Sequence, residues 1–518
     1  MSFYGQRSCK KDVVEPIDGT VTGEIPTWLK GCLIRNGGGA YEVGQDKYKH
    51  VFDGLALMHK FNIADGSVTY QNRFLHSDSY KKNMAAQRIV VSEFGTTAFP
   101  DPCKTLYQRI SSIFSPAEVT DNDLIHFTKY ADDIYACTET KYIRKIDVKT
   151  LETLDKVDLS KYLSVFNATA HTHCSPDGSV YNVGSGSVGG YPTYNILKFP
   201  AKENDKDMFQ EASIICSIPS KYRFYLSYQH SFGMSENYII FVEQSYMMSL
   251  LAMSTRGITM KSYNDCLHYY PKENTYFHVV NVKTGERLPT IYTTEAFMFF
   301  HQINTYEEND HLILDICCYD NADFVKSLIF DKNTKAKQFI NSCHARRFVL
   351  PLNIQKSGKV NPEENLVKLE YSQAKAYLQK DGKIMCQYES LTPEEVTMME
   401  LPTINYKVYN GKPYQYFYGI GFVASIEERC LIKVDVKNKS ILKWNEPNTS
   451  PSEAVFVQKP NSLVEDEGVI LFSVLHDDNE EKVSLVILDA QNFNEVARVD
   501  FMTGSIIPAD FHGLFLEN

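Results

Sequence analysis

The chain has 518 residues, 43% hydrophobic and 23% charged, with 33 Tyr, 30 Phe and 2 Trp, the balance of a soluble globular protein with a large core. A formal net charge of −11 without any long Lys/Arg run excludes a nucleic-acid backbone as the main partner. The polar start, Met1 to Asp12, does not read as a signal peptide, and no segment approaches the roughly 20 apolar residues needed to cross a bilayer, so a cytoplasmic protein is expected.

Helical periodicity is scarce. Short runs such as Tyr238–Val242, Leu312–Cys318 and Val483–Leu488 carry β-branched and aromatic residues bounded by turn formers, which predicts a chain built mostly of strands. A phrase recurs along it: an apolar strand, then Asp or Asn, a short polar turn and a second strand. It occurs around Asn62, Asp147, Asn281, Asp331, Asp435 and Asp489, and each copy predicts a hairpin. The wider gaps leave room for degenerate copies, as around Tyr194–Pro200. A hairpin repeat over most of the chain suits four-stranded blades arranged radially, about seven of them. The expected architecture is all-β, a single seven-bladed propeller domain over residues 1–518. Long loops and short helices are expected to cap it, drawn from Phe94–Asp123, Tyr246–Pro271 and His344–Tyr406.

The 12 cysteines include no Cys-x-x-Cys pair, so free thiols are expected. The vicinal Cys317 and Cys318 fall on opposite faces of one predicted buried strand. Among the 14 histidines, most read as surface or ordinary core residues: His50, His59, His76, His126, His268, His278, His311, His344 and His476. Four sit in unusual company, among small or aromatic residues: His171 in NATAHTH, His230 in YQHSFG, His301 in FFHQIN and His512 in DFHGLF. On separate blades they could converge on a central axis, although their local spacing forms no metal motif.

These segments, with Cys137-Thr-Glu-Thr140, Phe99-Pro-Asp-Pro-Cys-Lys104 and Ile303-Asn-Thr-Tyr-Glu307, resemble the animal branch of the carotenoid cleavage oxygenases over nearly the whole chain. That branch contains β-carotene oxygenases, the insect carotenoid isomerooxygenase and the retinoid isomerohydrolase. The resemblance implies a seven-bladed propeller with Fe(II) on its axis, held by His171, His230, His301 and His512, with His173 structural. It implies that Glu139, Glu400 and Glu453 accept the other ring N–H of ligand histidines and fix their aim. It also implies a dry tunnel for a polyene, lined by Phe52, Phe94, Tyr319, Leu401 and Phe511, with Thr138 beside the iron.

The substrates so implied are O2 and a carotenoid such as β-carotene or zeaxanthin, with a peripheral membrane surface as partner and no nucleic acid. Residues Phe99 to Phe114 mix apolar residues with Lys104 and Arg109 as an interfacial helix would. Phe99, Cys103, Leu106, Ile110 and Phe114 are the expected membrane contacts, with Cys103 a potential acylation site, and Tyr222–Leu226 and Met247–Met253 add candidates for the rim. The expected reaction is oxidative cleavage of one C=C bond, preferentially central (15,15′) to retinal-type aldehydes, with trans-to-cis isomerisation of one half as an option. The alternatives are eccentric cleavage to apocarotenals, O2-independent retinyl ester isomerohydrolysis and, from another class, a non-catalytic lipid-binding propeller.

Overall fold

The structure is a computed structural model that describes residues 7–105, 118–202, 206–330, 343–354, 363–424, 426 and 428–517. It is a mostly β-strand chain with four short helices among the described residues: Asp78–Ala86, Leu250–Thr259, Asp323–Ser327 and Tyr406–Tyr409. The architecture is that of an all-β propeller.

Seven antiparallel groups can be traced through the sheets. The first is Gly31–Ala40, Leu55–Ala64 and Ser67–Phe74, joined at its inner edge by the C-terminal strand His512–Glu517. The second is His126–Tyr130, Asp133–Cys137, Tyr142–Ile146 and Thr153–Asp158. The third pairs Val180–Val188 with two short inner strands, Asn167–Ala168 and His173–Cys174, and continues outward through Tyr191–Phe199 and Ser213–Pro219. The fourth runs from Gly233–Met234 through Tyr238–Glu243 and Thr275–Asn281 to Tyr292–Thr294.

The fifth starts at Met298–Glu308 with His311–Tyr319 and Cys343–Pro351, and the sixth at Val396–Thr403 with Tyr416–Val423, Cys430–Asp435 and Ser440–Trp444. A single parallel bridge, Cys343 to Met398, joins these two into one sheet. The seventh carries Thr449–Pro451 and Val455–Gln458 on its inner edge, then Gly468–His476, Lys482–Asp489 and Glu495–Met502. The N-terminal strand Thr20–Gly23 pairs with Glu495–Met502. The two chain ends therefore stitch the first and last groups, which removes free sheet edges at the point where the ring closes.

The repeated hairpin phrase has a physical device behind it. Asp147, Asn281, Asp435 and Asp489 each accept hydrogen bonds from the backbone amides two and three residues on, at 2.7–3.0 Å. The residue four places on turns left-handed each time: Leu151 at φ 56°, Gly285 at 71°, Lys439 at 52° and Phe493 at 65°. A side-chain oxygen thus substitutes for a backbone acceptor and starts the reversal. The copy near Asn62 turns differently, through Asp65 and Gly66 with φ of 48° and 76°. The copy at Asp331 lies outside the described residues. After Asn281 the strand pairs with Tyr292–Thr294 across a longer connection rather than a tight hairpin.

One loop expectation needs correction. His344–Tyr406 is not a loop: it holds most of Cys343–Pro351, all of Lys375–Leu378, Ile384–Gln387, Glu389–Ser390 and Val396–Thr403, and the first residue of the helix Tyr406–Tyr409. Buried residues such as Arg346, Phe348, Met398 and Met399 make it sheet. Cys317 and Cys318 are fully buried on one strand, as expected, and every described cysteine is free.

Candidate metal centre

Each group sends one polar residue from its inner edge toward a common point. His512 opens the first group's inner strand, His171 lies between the two inner strands of the third, and His230 precedes that of the fourth. His301 sits on Met298–Glu308, Glu400 on Val396–Thr403, and Glu453 between the paired inner strands of the seventh group. The second group contributes His126, at the start of its inner strand.

The result is a cluster in which ring nitrogens of His171, His230, His301 and His512 all lie within 4.8 Å of one another. Successive Nε2 atoms approach to 3.0 Å (His171 to His230), 3.0 Å (His230 to His301) and 3.3 Å (His301 to His512). Behind three of these rings stands a carboxylate. Glu139 Oε1 pairs with His230 Nδ1, Glu400 Oε2 with His301 Nδ1 at 2.6 Å, and Glu453 Oε1 with His512 Nδ1 at 2.7 Å. Each carboxylate is itself held: Glu139 accepts from Tyr228 Oη at 2.9 Å, Glu400 from the Leu401 amide at 2.9 Å and Glu453 from the Gly513 amide at 2.8 Å.

This arrangement settles what each ring nitrogen of His230, His301 and His512 does. A carboxylate accepts, so Nδ1 carries the hydrogen and Nε2 carries a bare lone pair. Lone pairs facing one another at 3.0 Å repel, and a cation among them relieves that repulsion. Metal–imidazole bonds of about 2.1 Å at right angles would set neighbouring nitrogens about 3.0 Å apart. The residues present therefore fit a metal ion held by four neutral imidazoles, a donor set suited to Fe, Zn or Cu.

The electrostatics agree. Burial, then the neighbouring imidazoles, holds His171 and His512 well below the usual histidine range. Burial also lowers His230, opposed by Glu139. Burial pushes the Glu453 carboxyl up to about 7, against the lowering pull of Arg35. Burial alone would raise Asp510 as well, but the Arg35 guanidinium, 2.7 Å away, outweighs it and holds the carboxyl below its ordinary range. Arg35 also donates to the Glu453 carbonyl at 3.1 Å, and so ties Asp510 to the backbone of the glutamate that pairs with His512.

Beside the cluster lies a small, partly open cavity. His230, His301, His512 and Glu400 form one side, and Phe52, Ile125, Phe300, Phe324, Leu328, Leu401 and Phe511 form the apolar wall. Of the residues anticipated for a tunnel, Phe52, Leu401 and Phe511 face this space. Phe94 stands behind Phe52, ring centroids 5.7 Å apart, and Tyr319 behind Phe300 and Phe324, at 6.0 and 4.9 Å. Thr138 does not line the cavity; Ile125, which no sequence signal marks, lies on the wall instead. Leu401 holds φ at 51°, a left-handed conformation rare for a branched side chain, where the strand register also shifts. That bulge lets its amide bond Glu400 while its side chain reaches the cavity.

His173 is pinned away from the cluster, by Tyr406 Oη at 2.7 Å and the Phe232 carbonyl at 2.9 Å, which fits a structural role. Phe99 packs against the core near the first group with Arg88 over its ring, and Cys103 is exposed. Leu106, Ile110 and Phe114 lie outside the described residues. His126, which reads from sequence as an ordinary histidine, stands against the cluster, its ring centroid 5.3 Å from His171 and 5.2 Å from His512. Among the described residues no helix is long and apolar enough to cross a membrane.

Known proteins share both the sequence and the fold that carry this centre. Residues 6–517 match the family described as retinal pigment epithelial membrane protein. A relative called carotenoid-cleaving dioxygenase, mitochondrial, from Mustela putorius furo is 42% identical over 518 residues, covering 98% of this chain and 95% of the relative. The β,β-carotene 15,15′-dioxygenase of Mus musculus is 41% identical over 528 residues, covering 100% of this chain and 91% of the relative. Among solved structures, cobalt-substituted apocarotenoid oxygenase of Synechocystis superposes with a TM-score of 0.77 at 21% identity, covering 100% of this chain and 98% of that one, a likeness of fold. Family match, identity and coverage agree, and the chain belongs to the retinal pigment epithelial membrane protein family of carotenoid cleavage oxygenases.

Proposed function

We propose that this protein is an iron(II)-dependent dioxygenase that cleaves a carotenoid C=C bond with O2, centrally, to retinal-type aldehydes. His171, His230, His301 and His512 would hold the iron, Glu139, Glu400 and Glu453 would aim three of them, and the whole chain would act as one propeller domain. The observation that carries the reading is the set of Nε2 lone pairs turned on one another by carboxylates on the far side of their rings, beside a cavity whose other wall is apolar. The activities named for relatives above 40% identity point the same way.

Iron bound there supplies the redox chemistry that combines O2 with a conjugated double bond. The protein's part is to position and to exclude. A polyene offers nothing to hydrogen-bond, so Phe52, Phe300, Phe324 and Phe511 hold it by dispersion and by displaced water. The same wall keeps bulk water from the reacting carbons. The glutamates keep a proton on each Nδ1, so the ligand rings stay neutral and keep their tautomer.

The route for so insoluble a substrate follows the surface. Phe224, Leu251, Ile258 and Met260 are 62%, 69%, 75% and 62% exposed. The Leu250 amide bonds the Phe224 carbonyl at 2.9 Å, which sets Phe224 beside the start of the helix Leu250–Thr259 that carries Leu251 and Ile258. A run of contacts leads from the end of this helix toward the cavity: Thr97 bonds the Met260 carbonyl, the Asn264 amide bonds the Phe94 carbonyl, and Phe94 packs edge-on to Phe52. Peripheral seating on a bilayer there would let a carotenoid pass from lipid to cavity.

The test is aerobic incubation of iron-loaded protein with all-trans β-carotene in detergent, products being separated by chain length and isomer. Retinal-length aldehydes support central cleavage, and a cis half among them adds isomerisation. Longer apocarotenals would replace central with eccentric cleavage. An untouched polyene would contradict the reading and turn attention to retinyl esters as substrate.

A further inference from the structure

The four clustered imidazoles are not held alike. His230, His301 and His512 each have a carboxylate on Nδ1, whereas among the described residues no carboxylate pairs with His171. Its backbone is tied locally, its amide donating to Thr169 Oγ1 at 3.3 Å. What meets the ring and the preceding peptide is His126. The two imidazoles lie nearly parallel, 25° between planes with centroids 5.3 Å apart. His126 Nδ1 lies 3.2 Å from the carbonyl of Ala170, the residue immediately before His171. A carbonyl can only accept, so this nitrogen is the donor and the tautomer of His126 is fixed.

We propose that His126 is the positioning residue of His171, doing through ring contact and a clamped peptide what the three glutamates do for the other imidazoles. The proposal rests on the reading that the four histidines hold the metal. Propeller topology makes it natural. The second group brings Glu139, from the connection after Asp133–Cys137, to His230, and His126 opens its inner strand, beside the inner strand of the first group and against His171.

Charge explains why this position suits an imidazole rather than a fourth carboxylate. The carboxylates of Glu139, Glu400 and Glu453, when all ionised, already exceed a divalent ion by one negative charge. A fourth would add an uncompensated buried anion, which costs several kcal/mol on the order-of-magnitude scale for such ions. A neutral ring adds none.

The test uses the full-length protein loaded with Co(II), whose visible spectrum reports ligand geometry, with affinity read by chelator competition and folding by the melting of the metal-free form. His126→Ala removes both contacts, His126→Phe keeps a face over His171 without the hydrogen bond, and His126→Asn keeps a donor without the face. We expect His126→Ala to bind cobalt about 10- to 100-fold more weakly, the range seen when a ligand's outer support is removed. The Phe and Asn variants should fall between it and the parent. The visible spectrum should shift, while melting of the metal-free protein stays close to the parent. Parent-like affinity and spectrum in His126→Ala overturn the proposal, as does a lower melting temperature with an unchanged spectrum, which would mark His126 as a core residue. His171→Ala separates the two claims: if that variant keeps full cobalt affinity, the four-histidine reading itself fails.

Discussion

The outer turns and the axis of this propeller are built by opposite logic. At the turns after Asp147, Asn281, Asp435 and Asp489, everything that decides the structure lies within five residues: a side-chain oxygen, two amides and a left-handed residue. At the axis, His301 meets Glu400, 99 residues on, and His512, 211 residues on. The turns stabilise the fold piece by piece, while the axis depends on all the groups arriving together and is tuned for binding. A substitution at the axis should therefore change what the protein binds more than whether it folds, and one at a turn should do the reverse.

The largest effect expected short of removing a clustered histidine is at the carboxylates. Glu400→Gln should weaken iron or cobalt binding about 10- to 100-fold in a chelator competition, with strand content by circular dichroism unchanged. Undiminished affinity would place Glu400 outside the site's machinery.

Next is a pH effect at a residue outside both the turns and the four clustered histidines. His59 is buried against Tyr70, and burial holds it down to about 4. The unfolded chain protonates this group near the ordinary value of about 6.5, the folded chain only near 4, so wild-type stability falls as pH drops through that window and levels off below it. His59→Asn should abolish that part of the slope, up to about 3 kcal/mol by pH 4, visible as converging melting temperatures of the two proteins. Parallel curves would mean that His59 protonates without penalty.

The turns give the small effects. Asp435→Ala removes the acceptor for the Lys437 and Asn438 amides and should cost about 1 kcal/mol, with metal affinity untouched. At the same turn, Lys439 holds φ at 52°, and Lys439→Gly should gain up to about 1 kcal/mol by relieving it. Its ion pair with Glu389 is half-exposed and offsets little of that. A metal-affinity change in either variant would contradict the separation of turn from axis.

The same contrast explains which features are legible in the sequence. The hairpin repeat, and from it a propeller, is visible because Asp or Asn before a polar turn encodes the reversal locally. The four histidines stand out by their small and aromatic neighbours, yet only the family resemblance joins them, since no spacing rule links residues drawn from four blades. His126 escapes notice because its role comes from lying next to His171 in space, and HFTKY reads as any strand start. Ile125 is hidden for the same reason, and Thr138, the residue expected beside the metal, lies off the cavity wall. His344–Tyr406 reads as a loop because its strands are interrupted by polar stretches, though their buried faces pair into sheet.

The most direct measurement is the iron content of purified protein alongside that of His301→Ala, with β-carotene turnover on the same samples. The account predicts one iron per chain and aldehyde products for the parent, and neither for a variant that remains folded. Equal iron and equal turnover in both would contradict it.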